Sequence, residues 1–222
     1  MLLLGPRHTD GSYVVLNDFE NIKIAYSIGI DGVIQFDKAL ADKGIDVYMY
    51  DHTIEKLPYE NEKFHWKKIG IGCKSDKSRK FKTLTDMIKD NGHLKEKNMI
   101  LKIDVEGPEW KTFNDLPEEV LKQFKFILVE YHFFEICPEL YYNVLKKIYK
   151  THQVFYAHCS GDQTVKTFGN NRICVCIEVS YAKRSEYNFA KDKSIYPIEE
   201  LSYCNHKFNV NILKLFDDYG KI

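Results

Sequence analysis

Short apolar segments recur along this 222-residue chain, and several of them stop on a charged or polar residue. The clearest is MILKIDVEGPEW, residues 99–110, where an apolar run reaches Asp104 and then Glu106, Gly107 and Glu109. Such a run reads as a buried strand. Carboxylates at its C-terminal end lie where open α/β sheets place their chemistry. Strands are predicted over 22–28, 47–50, 64–71, 99–103, 126–129, 154–158 and 173–181. Helical spacing falls between most of them, over 33–43, 84–91, 117–123 and 139–149. Phe36 and Leu40 share a face of the first helix, Gly92 stops the second, and Pro117 opens the third.

Strands alternating with helices require crossover connections, and hence a mainly parallel sheet. Residues 162–172 read as a loop, which makes the last two strands antiparallel. The expected fold is α/β: a seven-stranded, mostly parallel sheet with one antiparallel strand and helices on both faces. An N-terminal arm, 1–21, precedes it and contributes to the site. The core domain spans 22–183. An extension, 184–222, packs on the same domain.

Composition narrows the function. The chain is 44% hydrophobic and 14% aromatic, enough for one sizeable core. Its 32 basic and 32 acidic residues cancel, so no overall basic field attracts nucleic acid or an anionic membrane. No apolar stretch approaches the roughly 20 residues that span a bilayer. The opening Met-Leu-Leu-Leu is too short for a signal segment. Six cysteines (Cys73, Cys137, Cys159, Cys174, Cys176, Cys204) are scattered without a C-x-x-C pair. They read as thiols of a reducing compartment, so a soluble cytoplasmic protein is expected. Cys174 and Cys176 are expected on one face of the last strand.

Five groups of residues could carry chemistry. The first is the turn Ser27, Gly29, Ile30, Asp31, Gly32, which follows a strand and precedes a helix. Glycines there allow backbone to approach a ligand. Asp51, with His52 after it, ends the next strand about 20 residues on, where an acid accepts hydrogen bonds from ribose hydroxyls. Together they suit an adenosine-containing cofactor, without separating NAD from S-adenosylmethionine. The second group is Asp104 and Glu106, the third Glu130 with His132, and the fourth His158 with Asp162. Parallel strands would bring all of these to one sheet edge. A histidine there can take a proton from a hydroxyl, and a carboxylate can orient it. Asp104, Glu130 and His158 would make an oxygen and nitrogen set for a divalent metal, but no spacing requires one. The fifth group is the loop Arg7, Asp10 and Tyr13, expected to contact substrate.

These residues resemble the FkbM-type methyltransferases, most closely the branch that includes the vertebrate methyltransferase-like proteins. The resemblance rests on PRHTDGSYVVL (6–16), KIAYSIGIDG through YDHT (23–53), LKIDVEGPEW (101–110) and VEYH (129–132), with KIGIG (68–72) and TL (83–84) in support. It implies a Rossmann-like class I fold that binds S-adenosylmethionine and transfers methyl, most readily to oxygen. The implied acceptor is small and polar: a sugar, a nucleotide-sugar or a capsule-type glycan precursor. By the same resemblance, Ser27 to Gly32 hold the methionine and ribose region, Asp51 the ribose, and Ile69 and Gly70 the adenine. Asp104 then borders cofactor and acceptor. Two departures stand out. The acid that many such enzymes carry before the glycine turn is replaced by Ala25, leaving the methionine ammonium to Asp104 or Asp10. The stretch His158-Cys159-Ser160-Gly161-Asp162 stands where relatives often carry asparagines.

The base is expected to be His132 or His158, positioned by Asp104, Glu106 or Glu130. A nicotinamide-dependent oxidoreductase and a catalytically inactive cofactor-binding module are the alternatives. The expected partner is a small molecule, with no nucleic acid or membrane; a homo-oligomer is left open.

Overall fold

The computed structural model describes residues 1–6, 11–78, 80–133, 137–160, 165–168, 171–174, 176–190, 198 and 201. Strands β1 (Leu2–Leu4) and β2 (Tyr13–Val15) form an antiparallel hairpin in the arm. There follow β3 (Ile24–Ile28), α1 (Gln35–Ala41), β4 (Asp46–Tyr50), β5 (Phe64–Lys67), β6 (Gly70–Ile71), β7 (Phe81–Lys82) and α2 (Leu84–Asp90). The second half comprises β8 (Met99–Ile103), α3 (Glu109–Asp115), α4 (Glu118–Leu121), β9 (Phe124–Tyr131), α5 (Pro138–Tyr149), β10 (His152–Cys159), β11 (Val165–Phe168), β12 (Asn171–Cys174) and β13 (Ile177–Lys183).

Seven strands build the central sheet in the order β10-β13-β9-β8-β3-β4-β5. β13 runs antiparallel to both of its neighbours, and the remaining pairs are parallel. Chain order turns back between β3 and β8, the kind of switch point where open α/β sheets open a crevice. The expected seven-stranded sheet with one antiparallel strand is present. Two of its strands differ from expectation. Residues 64–71 divide into β5 and β6, and 173–181 divides into the end of β12 and β13. Cys174 and Cys176 therefore do not alternate along one strand, because the chain bends at Cys176 before β13 begins. The segment expected as loop carries the β11–β12 hairpin.

The sheet separates two cores. One face packs Leu101, Ile103, Ile127 and Val129 against α3 and α5 residues such as Phe113 and Val144. The other packs Ile100, Phe126 and Leu128 with α1 and the β1–β2 hairpin, through Phe36, Leu40, Leu4 and Tyr13. The hairpin is further tied down by Ser180 Oγ, which donates to the Val14 carbonyl at 2.7 Å. From the extension, Tyr187 donates to Asp18 at 2.8 Å, and Ile198 and Leu201 pack against Val14 and Tyr156.

The all-thiol expectation fails at Cys159, which is disulfide-bonded, while Cys73, Cys137 and Cys176 are free. Cysteine spacing carries no information on which strand ends meet. No helix among the described residues is long and apolar enough to cross a membrane.

Candidate active site

The C-terminal ends of β3, β4 and β8 open onto a cavity of about 430 Å³, within the usual size range of small-molecule sites. Its floor is the turn after β3. Gly29 has φ +79°, and a Cβ there would lie 1.6 Å from the Asp104 carbonyl oxygen, so only glycine fits. Gly29 N–H donates to Tyr50 O at 2.9 Å and Asp104 N–H to Ile28 O at 3.0 Å, which ties three strand ends together.

Asp51 clasps this floor. Its Oδ2 accepts from the Ile30 and Asp31 N–H groups at 2.8 and 3.0 Å. Its Oδ1 accepts from the Thr53 N–H and hydroxyl at 2.7 and 2.6 Å. Burial works against its ionisation, but these bonds outweigh burial and hold the carboxyl at about 2. All four lone-pair directions of the carboxylate are engaged.

At one end, His52, Gly70, Ile71 and Phe81 wall the cavity, with the His52 and Phe81 rings 4.8 Å apart. At the other end stand Tyr13, Asp37, Lys102 and Asp104. Tyr13 donates to Asp104 Oδ2 at 2.9 Å, and burial, then Asp104, raise its hydroxyl well above the usual range. Lys102 Nζ is 3.4 Å from Asp104 Oδ2 and donates to the Gly29 carbonyl. Asp37 is 2% exposed, and its Oδ1 has no hydrogen-bond partner. Burial raises its pKa. Asp37 and Lys102 escaped the sequence reading, although each is a charge on an otherwise apolar face, which is the signal that finds such groups.

The cavity lining includes Tyr13, Gly29, Ile30, Asp31, Asp51, His52, Gly70, Asp104 and Glu106. Ser27, Gly32 and Ile69 lie outside it. Ser27 is a buried β3 side chain beside Asp37, and Ile69 packs on the core. Arg7, Asp10 and Asp162 lie outside the described residues.

Beside the cavity a second polar group forms at the end of β9. Glu109, fully buried in α3, accepts from the N–H groups of Val105 and Gly107 and from His132 Nδ1 at 2.9 Å. Trp110 Nε1 donates to the His132 carbonyl at 2.7 Å, its ring stacked 4.1 Å from Tyr131. His132 Nε2 thus faces Glu106 Oε1 at 3.5 Å and Glu130 Oε1 at 3.7 Å. Cys176 Sγ lies 2.7 Å from the same Glu130 oxygen. Glu106 and Phe133 both adopt positive φ, 58° and 55°. Backbone held this way commonly marks functional edges.

These contacts revise the expected base. Burial alone would lower His132, but the bond to Glu109 and the charges of Glu109, Glu130 and Glu106 outweigh it and raise its pKa to about 9. At neutral pH His132 already carries its proton. His158 is 1% exposed, with Nε2 3.4 Å from Glu178, and lies outside the cavity lining. Burial pushes it down to about 4. Nor do Asp104, Glu130 and His158 come together as a ligand set among the described residues, where Glu130 groups instead with His132 and Cys176.

Residues 7–183 match the family described as a methyltransferase domain. The chain belongs to that family. The strand order, with an antiparallel strand between β9 and β10, is the sheet of a Rossmann-like methyltransferase. Among solved structures, the chain is similar to a protein of Anabaena variabilis assigned as a methyltransferase from an antibiotic biosynthesis pathway. That pair shares 12% identity and a TM-score of 0.37, covering 63% of this chain and 60% of the other. It is also similar to a predicted O-methyltransferase of Agrobacterium tumefaciens, at 12% identity and TM-score 0.40, over 77% of each chain. No curated protein matches the chain.

Proposed function

We propose that this methyltransferase takes its methyl from S-adenosylmethionine and places it on a hydroxyl of a small, polar, carbohydrate-like acceptor. The observation that carries the cofactor is the buried, unpartnered Asp37 Oδ1 at the cavity end opposite His52 and Phe81. A buried carboxylate oxygen without a hydrogen-bond partner suits an ammonium group. It supplies the anion that Ala25 does not. The His52–Phe81 wall with Gly70 and Ile71 suits an adenine ring, and Asp51 holds the turn between the two ends. When bound, the cofactor supplies an electrophilic methyl on a sulfonium.

The chain's own residues then have distinct tasks. Asp37 would hold the ammonium, and Lys102, 3.4 Å from Asp104 Oδ2, pairs with Asp104 at the cavity edge. Glu106 lines the cavity, with a side chain 78% exposed, so it is reachable by an acceptor. As the hydroxyl oxygen takes the methyl, its proton passes to the Glu106 carboxylate. The protonated His132, fixed by Glu109, orients that carboxylate. Carboxylates accept hydrogen bonds from sugar hydroxyls, which supports oxygen as the acceptor atom.

Calorimetric titration tests the cofactor: S-adenosylmethionine and its demethylated product should bind at micromolar concentration. No heat for either, at concentrations up to millimolar, would remove the reading. Turnover with a panel of hydroxylated sugars, read as product mass, then tests the acceptor class.

A further inference from the structure

We propose that Glu130, His132 and Cys176 form a binding site for a divalent transition-metal ion of the zinc class, beside the cofactor cavity and facing Glu106. One ligand atom from each of the three lies within 4.8 Å of the others, and all three residues are buried. Ligands 2.0–2.3 Å from a tetrahedral ion stand roughly 3.3–3.8 Å apart. His132 Nε2 to Glu130 Oε1, at 3.7 Å, already has that spacing. Cys176 Sγ to Glu130 Oε1, at 2.7 Å, needs to open by under an ångström. One thiolate, one imidazole and one carboxylate select zinc and its neighbours over magnesium or calcium, which prefer oxygen alone.

The surroundings of His132 favour the same reading. Metal-bound histidines usually donate their second ring nitrogen to a carboxylate, which fixes the tautomer and the ring plane. Glu109 takes Nδ1 at 2.9 Å, and the Val105 and Gly107 N–H groups anchor Glu109 in turn. Nε2 is left aimed at Glu130 and Glu106. Binding would release the Cys176 thiol proton and the His132 Nε2 proton to solvent, and the ion would then take over from the His132 imidazolium in orienting Glu106. Three protein ligands leave a fourth position, which Glu106 can fill or yield to an acceptor oxygen. That last role rests on the methyl-transfer reading; the metal site itself does not.

Cobalt(II) is the probe, titrated into the full chain after chelation and desalting. One equivalent should bind with a thiolate-to-cobalt absorption band, and zinc should displace it. Cys176→Ser should abolish the band, and Glu109→Gln should weaken binding about 10- to 100-fold while circular dichroism stays unchanged. Absence of a thiolate band in the unmutated protein would overturn the site. So would a band of full intensity in Cys176→Ser, which would assign it to another cysteine. Calorimetry with S-adenosylmethionine on the metal-free protein keeps the two readings apart, since either can fail while the other stands.

Discussion

At the scale of single residues, the site depends on two that do opposite things. Gly29 permits a backbone approach that no side chain allows. Gly29→Ala should therefore cost at least about 3 kcal/mol, or prevent folding, because the new Cβ meets backbone rather than a yielding side chain. Urea unfolding measures it. Asp37 is a buried charge that folding tolerates without rewarding. Asp37→Asn should leave stability unchanged or raise it. Cofactor affinity should fall about tenfold or more, by the loss of a charge-assisted bond. Unaltered affinity by calorimetry would show that the ammonium finds its anion elsewhere. Gly29, Asp51 and Asp104 were legible in the sequence because strand ends announce themselves. Asp37 was missed although it stands on the apolar face of its helix, and the contact of Glu109 with His132 was not foreseen, because it arises only when α3 packs beside the end of β9. The first helix, α1, is shorter than the one expected over 33–43, and α3 is absent from the expected helices, since it begins at Glu109 within a run of acids and a proline.

At the scale of elements, the N-terminal hairpin is what converts a sheet edge into a walled site. Its three-residue strands, LLL and YVV, are too short to show alternation, so the sequence offered only turn-formers there. Their partners are remote: β2 reaches Ser180 in β13 and Asp104 beyond β8. Val14 makes the first link and Tyr13 the second, and Tyr13 also packs edge-on against Phe36 at 5.2 Å. Tyr13→Phe keeps the packing and removes the donor. Destabilisation of about 1–2 kcal/mol is expected, since the hydroxyl bonds a carboxylate in a half-buried setting. Thermal unfolding in the presence and absence of cofactor reads it. A stability loss without any change in cofactor affinity would confine Tyr13 to bracing the arm. The β11–β12 hairpin escaped for the same reason as the arm, being two four-residue strands whose pairing is local and whose side chains carry no clear period.

At the scale of the whole molecule, acid stability should be governed by histidines buried without charge. His152 opens β10 and is fully buried, with Nε2 at 3.0 Å from the Phe124 carbonyl and Nδ1 at 2.8 Å from the Thr151 hydroxyl. Nε2–H therefore donates to Phe124, leaving Nδ1 to accept. Burial lowers its pKa from 6.5 to about 4, against the smaller opposing effect of the Phe124 bond. The unfolded chain binds a proton at pH 5 that the folded chain refuses. Stability then rises with pH across this window and is lost as pH falls from about 6.5 to about 4. His158, also pushed down to about 4 by burial at the far end of the same strand, adds to the loss with the same sign. A shift of this size corresponds to about 3 kcal/mol for His152 when complete. His152→Gln can donate to Phe124 yet does not titrate. The variant should start somewhat less stable at pH 7 and lose less on going to pH 4.5. Urea midpoints measured at half-unit steps between those values separate the two effects. Parallel curves for the variant and the unmutated protein would place the acid sensitivity in other groups.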